Sequence, residues 1–174
     1  QNTVYEGLQV LYNQDLRPFR TCIREGAVFV MCTYHDVDGE PCTGSSLLLN
    51  EILRGKLQFK GFVAADAGAI EMLCYRRLTR DKKHAAARAL QAGCDGDSGH
   101  STLAECGQYL MEAWESGLIR ESDLDLAAGR MLEITPLRWA RFWSTAILTA
   151  SSSRPCWTTL WRASPLPAIC NPAL

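Results

Sequence analysis

The chain has 174 residues, 47% of them hydrophobic and 21% charged, with a formal net charge of −1. That length suits one domain with a real core, and the near-neutral balance excludes both a nucleic-acid footprint and an acidic tail. No run of about 18 uninterrupted apolar residues occurs, so no membrane-spanning helix is expected. The chain opens on Gln1 rather than Met, which leaves an export leader open.

In chain order, Tyr5 to Glu25 reads as a helix-like approach broken at Leu16-Arg17-Pro18-Phe19. Proline is tolerated in a first helical turn, so a helix is expected from Pro18 to Glu25, ended by Gly26. Ala27 to Cys32 is a continuous β-branched and aromatic run, expected as a strand buried on both faces. It leads into the polar loop Thr33–Pro41, punctuated by Gly39 and Pro41. Ser45 and Ser46 can cap a helix running to Arg54 and closed by Gly55, with Leu48, Leu49 and Ile52 on its apolar side. Phe62-Val63-Ala64-Ala65 then has the length and bounds of a buried strand.

That strand ends on Asp66, followed by the flexible Ala67-Gly68-Ala69 turn. A carboxylate at the tip of a buried strand is costly unless it points into a polar mouth. The alternative is that Asp66 caps the next helix. An Ala-rich helix is expected over Asp81–Leu90, and Gln91 to Asp95 reads as a short last strand running into an acidic turn. Two further helices are expected, Thr102–Ser116 and Glu121–Glu133. Ser122 and Asp123 cap the second, with Leu124, Leu126, Ala127 and Met131 inward. Helix and strand alternate with short links, which predicts parallel strands and right-handed crossovers.

Residues 134–174 differ in kind. They contain no Asp, Glu, Lys or Gly, but four of the five tryptophans and five of the seven prolines. No period emerges, and the local choices agree with no single structure. A tail packed on another domain is one reading; a frame-shifted end with no evolved fold is preferred. The eight cysteines are scattered, with no CxxC pair, so no metal site is expected. Buried free thiols are the better reading, with a Cys32–Cys42 pair left open.

Four ordered segments together resemble glycoside hydrolase family 3, the retaining exo-β-glycosidases. They are Asp15-Leu16-Arg17-Pro18-Phe19; Val30-Met31-Cys32-Thr33-Tyr34 through Gly39-Glu40-Pro41; Leu49 to Arg54 followed by Gly61-Phe62-Val63-Ala64-Ala65-Asp66; and Ala89-Leu90-Gln91-Ala92-Gly93-Cys94-Asp95. The resemblance implies an α/β fold in which residues 1–133 form part of a (β/α)8 TIM barrel, roughly its last three strand–helix units. A whole barrel takes about 250 residues. It implies hydrolysis of terminal β-linked glucose or xylose by double displacement, without metal or organic cofactor, with Asp66 as nucleophile. Tyr34 is then the tyrosine beside the nucleophile, and Met31 and His35 line the sugar pocket. His35 and Asp38 stand where the family usually has Asn. Ala65 replaces its usual Ser, and Ala67 its usual Trp or Cys.

Other acids and histidines read as structural. Asp95 and Asp97 are taken as loop acids, and His84 and His100 as solvated or structural groups. Glu40 is the one loop acid near Tyr34 that could stand in as general acid. The rival to an enzyme is a truncated, inactive fragment, or a carbohydrate-binding half-barrel without its acid. Another strand–helix barrel, such as a lyase with an Asp base, lacks support from any barrel lysine or phosphate-cradling Gly loop. The expected partner is a β-glycoside or oligosaccharide, with no nucleic acid and no membrane. The oligomeric state is open, and so is the compartment, with a periplasmic or extracellular one suspected.

Overall fold

A computed structural model describes residues 3–98 and 103–134. The expectation for His100 falls outside the described residues, and so does that for the stretch 134–174 beyond Ile134, which ends a helix. Strand β1 is Thr3–Val4, and helix α1 is Gly7–Val10. A wide π turn, Leu11–Asp15, joins α1 to helix α2, Leu16–Arg24. The expected break at Leu16–Phe19 is absent. Pro18 has no N–H to offer the carbonyl one turn back. The loosened turn just upstream, where the Leu16 N–H reaches the Leu11 carbonyl, lets the helix run on. Gly26 turns the chain as expected, at φ +93°.

The central sheet has the order β2-β5-β6, all parallel. Strand β2 is Phe29–Cys32, β5 is Phe62–Ala65 and β6 is Gly96–Asp97. Phe29, Val30, Met31 and Cys32 stand opposite Phe62, Val63, Ala64 and Ala65. Ala64 and Ala65 stand in turn opposite Gly96 and Asp97. The alternation of side chains across a strand sends Cys32, Val63 and Ala65 to one face, where they join Leu53, Ile70 and Leu73 in the main apolar cluster. Phe29 and Met31 lie on the other face and are 50% and 49% exposed. The strand expected to be buried on both faces is therefore covered on one face here.

Between β2 and β5 lie β3, Asp36–Val37, and β4, Glu40–Pro41, which with the N-terminal β1 make a second sheet of order β1-β3-β4. The loop expected over Thr33–Pro41 thus contains a two-residue hairpin. Its turn, Asp38-Gly39, has both residues at positive φ, 51° and 84°, which is the primed geometry that Asp-Gly favours. A π-helix, Leu47–Lys56, follows. Ser45 Oγ accepts from the Leu48 N–H at 3.3 Å, so the expected serine cap forms. Gly55 does not end this helix, which runs one residue further. The Leu57 N–H closes it on the Ile52 carbonyl at 2.8 Å.

Beyond β5 lie helix α3, Ala69–Tyr75, which periodicity did not flag, and helix α4, Lys82–Ala92. Asp81 caps α4 by accepting from the His84 N–H at 3.0 Å, and Gly93 ends it at φ +101°. Gln91 and Ala92 therefore belong to the helix, and the last strand is Gly96–Asp97 rather than 91–95. The good helix formers before Gly93 won over a strand too short to show a period. Helices α5, Leu103–Glu115, and α6, Glu121–Ile134, complete the described fold. They pack on α4 through Leu90, Ala113, Ile119 and Ala127. In α6, Ala127 is buried and Leu124 packs beside it, but Leu126 and Met131 are 57% and 55% exposed, against expectation. The α6 start is held by Asp123, which accepts from the Arg120 N–H at 3.1 Å, as the acid of a capping box does.

Candidate active site

The C-terminal end of β5 brings two of the sequence-predicted residues together. Hydrogen bonding of the Asp66 N–H to the Cys32 carbonyl at 2.8 Å keeps that end in the sheet. The chain then turns through Gly68 at φ +74° into α3. That left-handed conformation suits glycine and would strain a side chain. Asp66 is half-buried. Its carboxylate accepts from the Ala67 N–H at 2.7 Å. The first turn of α3 carries no side-chain cap, so the helix-cap alternative for Asp66 does not describe this arrangement.

Tyr34, just past β2, donates its hydroxyl to the Ala67 carbonyl at 2.5 Å. This contact uses backbone, so alanine at 67 supports it as well as a larger residue would. Burial raises the Tyr34 phenol above its ordinary range, and the Asp66 carboxylate beside it and then the Asp97 charge push in the same direction. The phenol is therefore a neutral hydrogen-bond donor next to a carboxylate. Asp97, read from sequence as a loop acid, stands in β6 opposite Ala65. Among the described residues no Lys, Arg or His forms an ion pair with Asp66.

The other predicted pocket residues lie apart from this pair. His35 is exposed, and its Nδ1 is 3.1 Å from Thr33 Oγ1, whose oxygen also accepts the His35 N–H at 3.2 Å. Met31 lines an apolar groove of about 280 Å³ with Phe19, Cys22, Ile23 and Phe29, between α2 and β2. Glu40 pairs with Arg88 at 3.3 Å. His84 belongs to the α4 cap, its Nδ1 2.7 Å from Asp81 Oδ1, in keeping with the structural role read for it. No group of three or more His, Cys, Asp or Glu among the described residues could hold a metal ion.

Two arrangements had no signal in the sequence. Asp95, taken as a loop acid, is buried to 1% side-chain exposure. It accepts from Arg54 at 2.5 Å, Arg130 at 2.6 Å and the Val63 N–H at 2.9 Å. Arg54 also donates to the Gly61 and Gly93 carbonyls at 2.9 and 3.0 Å. The thiol in hydrogen-bond contact with Cys32 is Cys94; that contact and burial push the Cys32 thiol well up, and Cys42 adds a lesser push in the same direction. Cys32, Cys42 and Cys94 are all free thiols, so the pairing left open for Cys32 and Cys42 is not formed.

With the geometry in view, the chain can be set beside known proteins. The profile of the Glycosyl hydrolase family 3 N terminal domain matches residues 1–134. Beta-D-xylosidase 3 of Arabidopsis thaliana is 32% identical over 125 residues, which is 68% of this chain and 16% of that protein. The Periplasmic beta-glucosidase of Salmonella typhimurium is 31% identical over 133 residues, 76% of this chain and 17% of that protein. Among solved structures, a beta-glucosidase from Listeria innocua in complex with glucose superposes with a TM-score of 0.69 at 32% identity. It covers 75% of this chain and 18% of that one. The chain spans about a sixth of the length of the curated relatives it matches.

Proposed function

The chain belongs to glycosyl hydrolase family 3, and from that premise we propose that it carries the nucleophile half of a retaining β-glycosidase site. Asp66 attacks the anomeric carbon of a terminal β-linked glucose or xylose and forms a glycosyl-enzyme, which water then cleaves. The observation that carries this reading is the half-buried Asp66 carboxylate at the C-terminal tip of β5, oriented by the Ala67 N–H at 2.7 Å. In strand–helix barrels that end of the strands is where catalytic groups stand. The three parallel strands are then part of a (β/α)8 barrel. Tyr34, neutral and hydrogen-bonded to the Ala67 carbonyl, holds the turn that carries the nucleophile and faces its charge.

A retaining enzyme needs a second carboxyl about 5–5.5 Å from the first, to protonate the leaving oxygen and then to activate water. Glu40 is occupied by the Arg88 ion pair at 3.3 Å. The proposal places the acid/base outside residues 3–134, so the chain alone should turn over little or no substrate. The second reading, an inactive or carbohydrate-binding fragment, is favoured by this missing partner and differs in what completion does. Joined to an intact upstream barrel half and a following domain from a family member, the chain should hydrolyse an aryl β-glucoside or β-xyloside. The β-anomer should be the first product seen by proton NMR. A folded chimera that cleaves neither glycoside would leave the enzyme reading without support.

A further inference from the structure

The hairpin that follows Tyr34 and the helix that follows Asp66 meet twice. The first meeting is the Tyr34 hydroxyl on the Ala67 carbonyl, two residues before α3 begins. The second is at the far end of α3. There Arg76, the residue that closes the helix, presents both guanidinium Nη atoms to the two carboxylate oxygens of Asp36, the first residue of β3. Asp36 is 2% exposed, and its Oδ2 also accepts from Thr3 Oγ1 at 3.3 Å. Arg76 holds the Asp36 carboxyl below the usual carboxylate range. Nothing in the proposed chemistry uses this buried pair.

The geometry explains its use. A single hydrogen bond between two segments fixes one distance and leaves the segments free to pivot about it. Helix α3 has seven residues, about 10 Å of rise, and is too short to be stable alone. A second tie at its other end, made by a planar two-bond fork that also fixes orientation, removes the pivot. Asp36 lies two residues beyond Tyr34, so a hairpin that cannot turn holds the phenol where it stands.

We propose that Arg76 is a positioning residue: through Asp36 it fixes the Tyr34 hairpin along α3 and so keeps the phenol against the Asp66 carboxylate. The inference rests on reading Tyr34 and Asp66 as site residues, but its test needs no sugar. The signature of the placement is the raised Tyr34 phenol, whose causes include the Asp66 charge.

The test is a pH titration of the full chain carrying ¹³Cζ-labelled tyrosine, with the Tyr34 resonance assigned from Tyr34→Phe. Three chains are compared: the parent, Arg76→Lys, and the paired variant Asp36→Leu with Arg76→Met. The paired change removes the buried Asp36 charge together with its half-buried partner and spares the fold the cost of one left alone. Melting by circular dichroism reports whether each chain folds. The parent should titrate Tyr34 above the ordinary tyrosine range. In the folded paired variant Tyr34 should fall back toward that range, and Arg76→Lys, which keeps the charge but not the fork, should lie between. A Tyr34 titration that is unchanged in a folded paired variant would overturn the proposal. So would failure of both variants to fold, since the pair would then serve stability alone. If Tyr34 moves as expected while a 2-fluoro glycoside never labels Asp66, the clamp stands and the glycosidase reading falls.

Discussion

The two ends of strand β5 hold carboxylates in opposite circumstances. At the entering end Asp95 is sealed from water and shared by Arg54, Arg130 and the Val63 N–H. At the leaving end Asp66 is half-buried, accepts from the neighbouring Ala67 N–H and has the Tyr34 phenol beside it. The first arrangement uses three hydrogen bonds to hold elements together: the π-helix, β5, the start of β6 and α6 all meet on one carboxylate. The second has no ion pair among the described residues. In parallel strand–helix folds, stability gathers at one end of the sheet and chemistry at the other. The same residue type serves both, according to what surrounds it.

This contrast can be broken most sharply at Asp95. Asp95→Asn leaves two arginines facing a neutral amide in a buried site. Stability should drop by about 3–5 kcal/mol, the scale of breaking a buried ion pair, read as a fall in the urea midpoint. Asp66→Asn, by comparison, should shift that midpoint by no more than about 0.5 kcal/mol, as a change at a site without a structural partner network does. Equal losses from the two would erase the distinction.

A smaller effect is expected where the hairpin is locked to α3. Asp36 has its pKa lowered by Arg76, so its ion pair adds stability at neutral pH. That contribution should fade as pH falls below the ordinary aspartate range and through the lowered value. Asp36→Asn should therefore lose stability at pH 7 and flatten the acid limb of the stability curve, measured by urea melts from pH 7 downward. A parallel offset at every pH would contradict the assignment.

Gly61 tests the entering end by sterics alone. A Cβ there would stand 2.2 Å from the Val28 carbonyl oxygen and 2.7 Å from the Phe59 ring, so the β2–β5 approach must widen. Gly61→Ala should cost about 1–3 kcal/mol, the usual range for overpacking. The smallest change is Tyr34→Phe. It removes one hydrogen bond, worth about 1 kcal/mol, and should abolish the stability lost at high pH as the raised phenol finally ionises. That loss begins as pH enters the ordinary tyrosine range, where the unfolded chain ionises first, and runs on until the raised phenol of the folded chain has ionised.

The sequence made the leaving end of β5 far more legible than the entering end, for a physical reason. Strand β5 and Asp66 announce themselves through a contiguous apolar run broken by a carboxylate and a glycine turn. The Ala-rich α4 and its caps at Asp81 and Gly93 are local in the same way. Asp95 and its arginines are 41 and 35 residues apart in the chain. A turn-like Gly-Cys-Asp-Gly says nothing about guanidiniums that arrive from two other helices. Arg76 and Asp36, 40 residues apart, were silent for the same reason. The hairpin at Asp38-Gly39 is different, since its signal was local and was read as a loop because the strands on either side are only two residues long. The open face of β2 could not be read either. An apolar strand looks the same whether both faces are covered or one is.

Covalent labelling reads out whether Asp66 is the nucleophile proposed above. The full chain, its Asp66→Asn variant and a barrel-completed chimera would each be incubated with 2-fluoro gluco and xylo glycosides bearing a good leaving group, then digested and weighed by peptide mass analysis. The account predicts a fluoro-sugar adduct on the peptide containing Asp66 in the chimera and none once Asp66 is Asn, with the labelling sugar giving the substrate class. A folded chimera that carries no adduct, or carries it on another carboxylate, would contradict it.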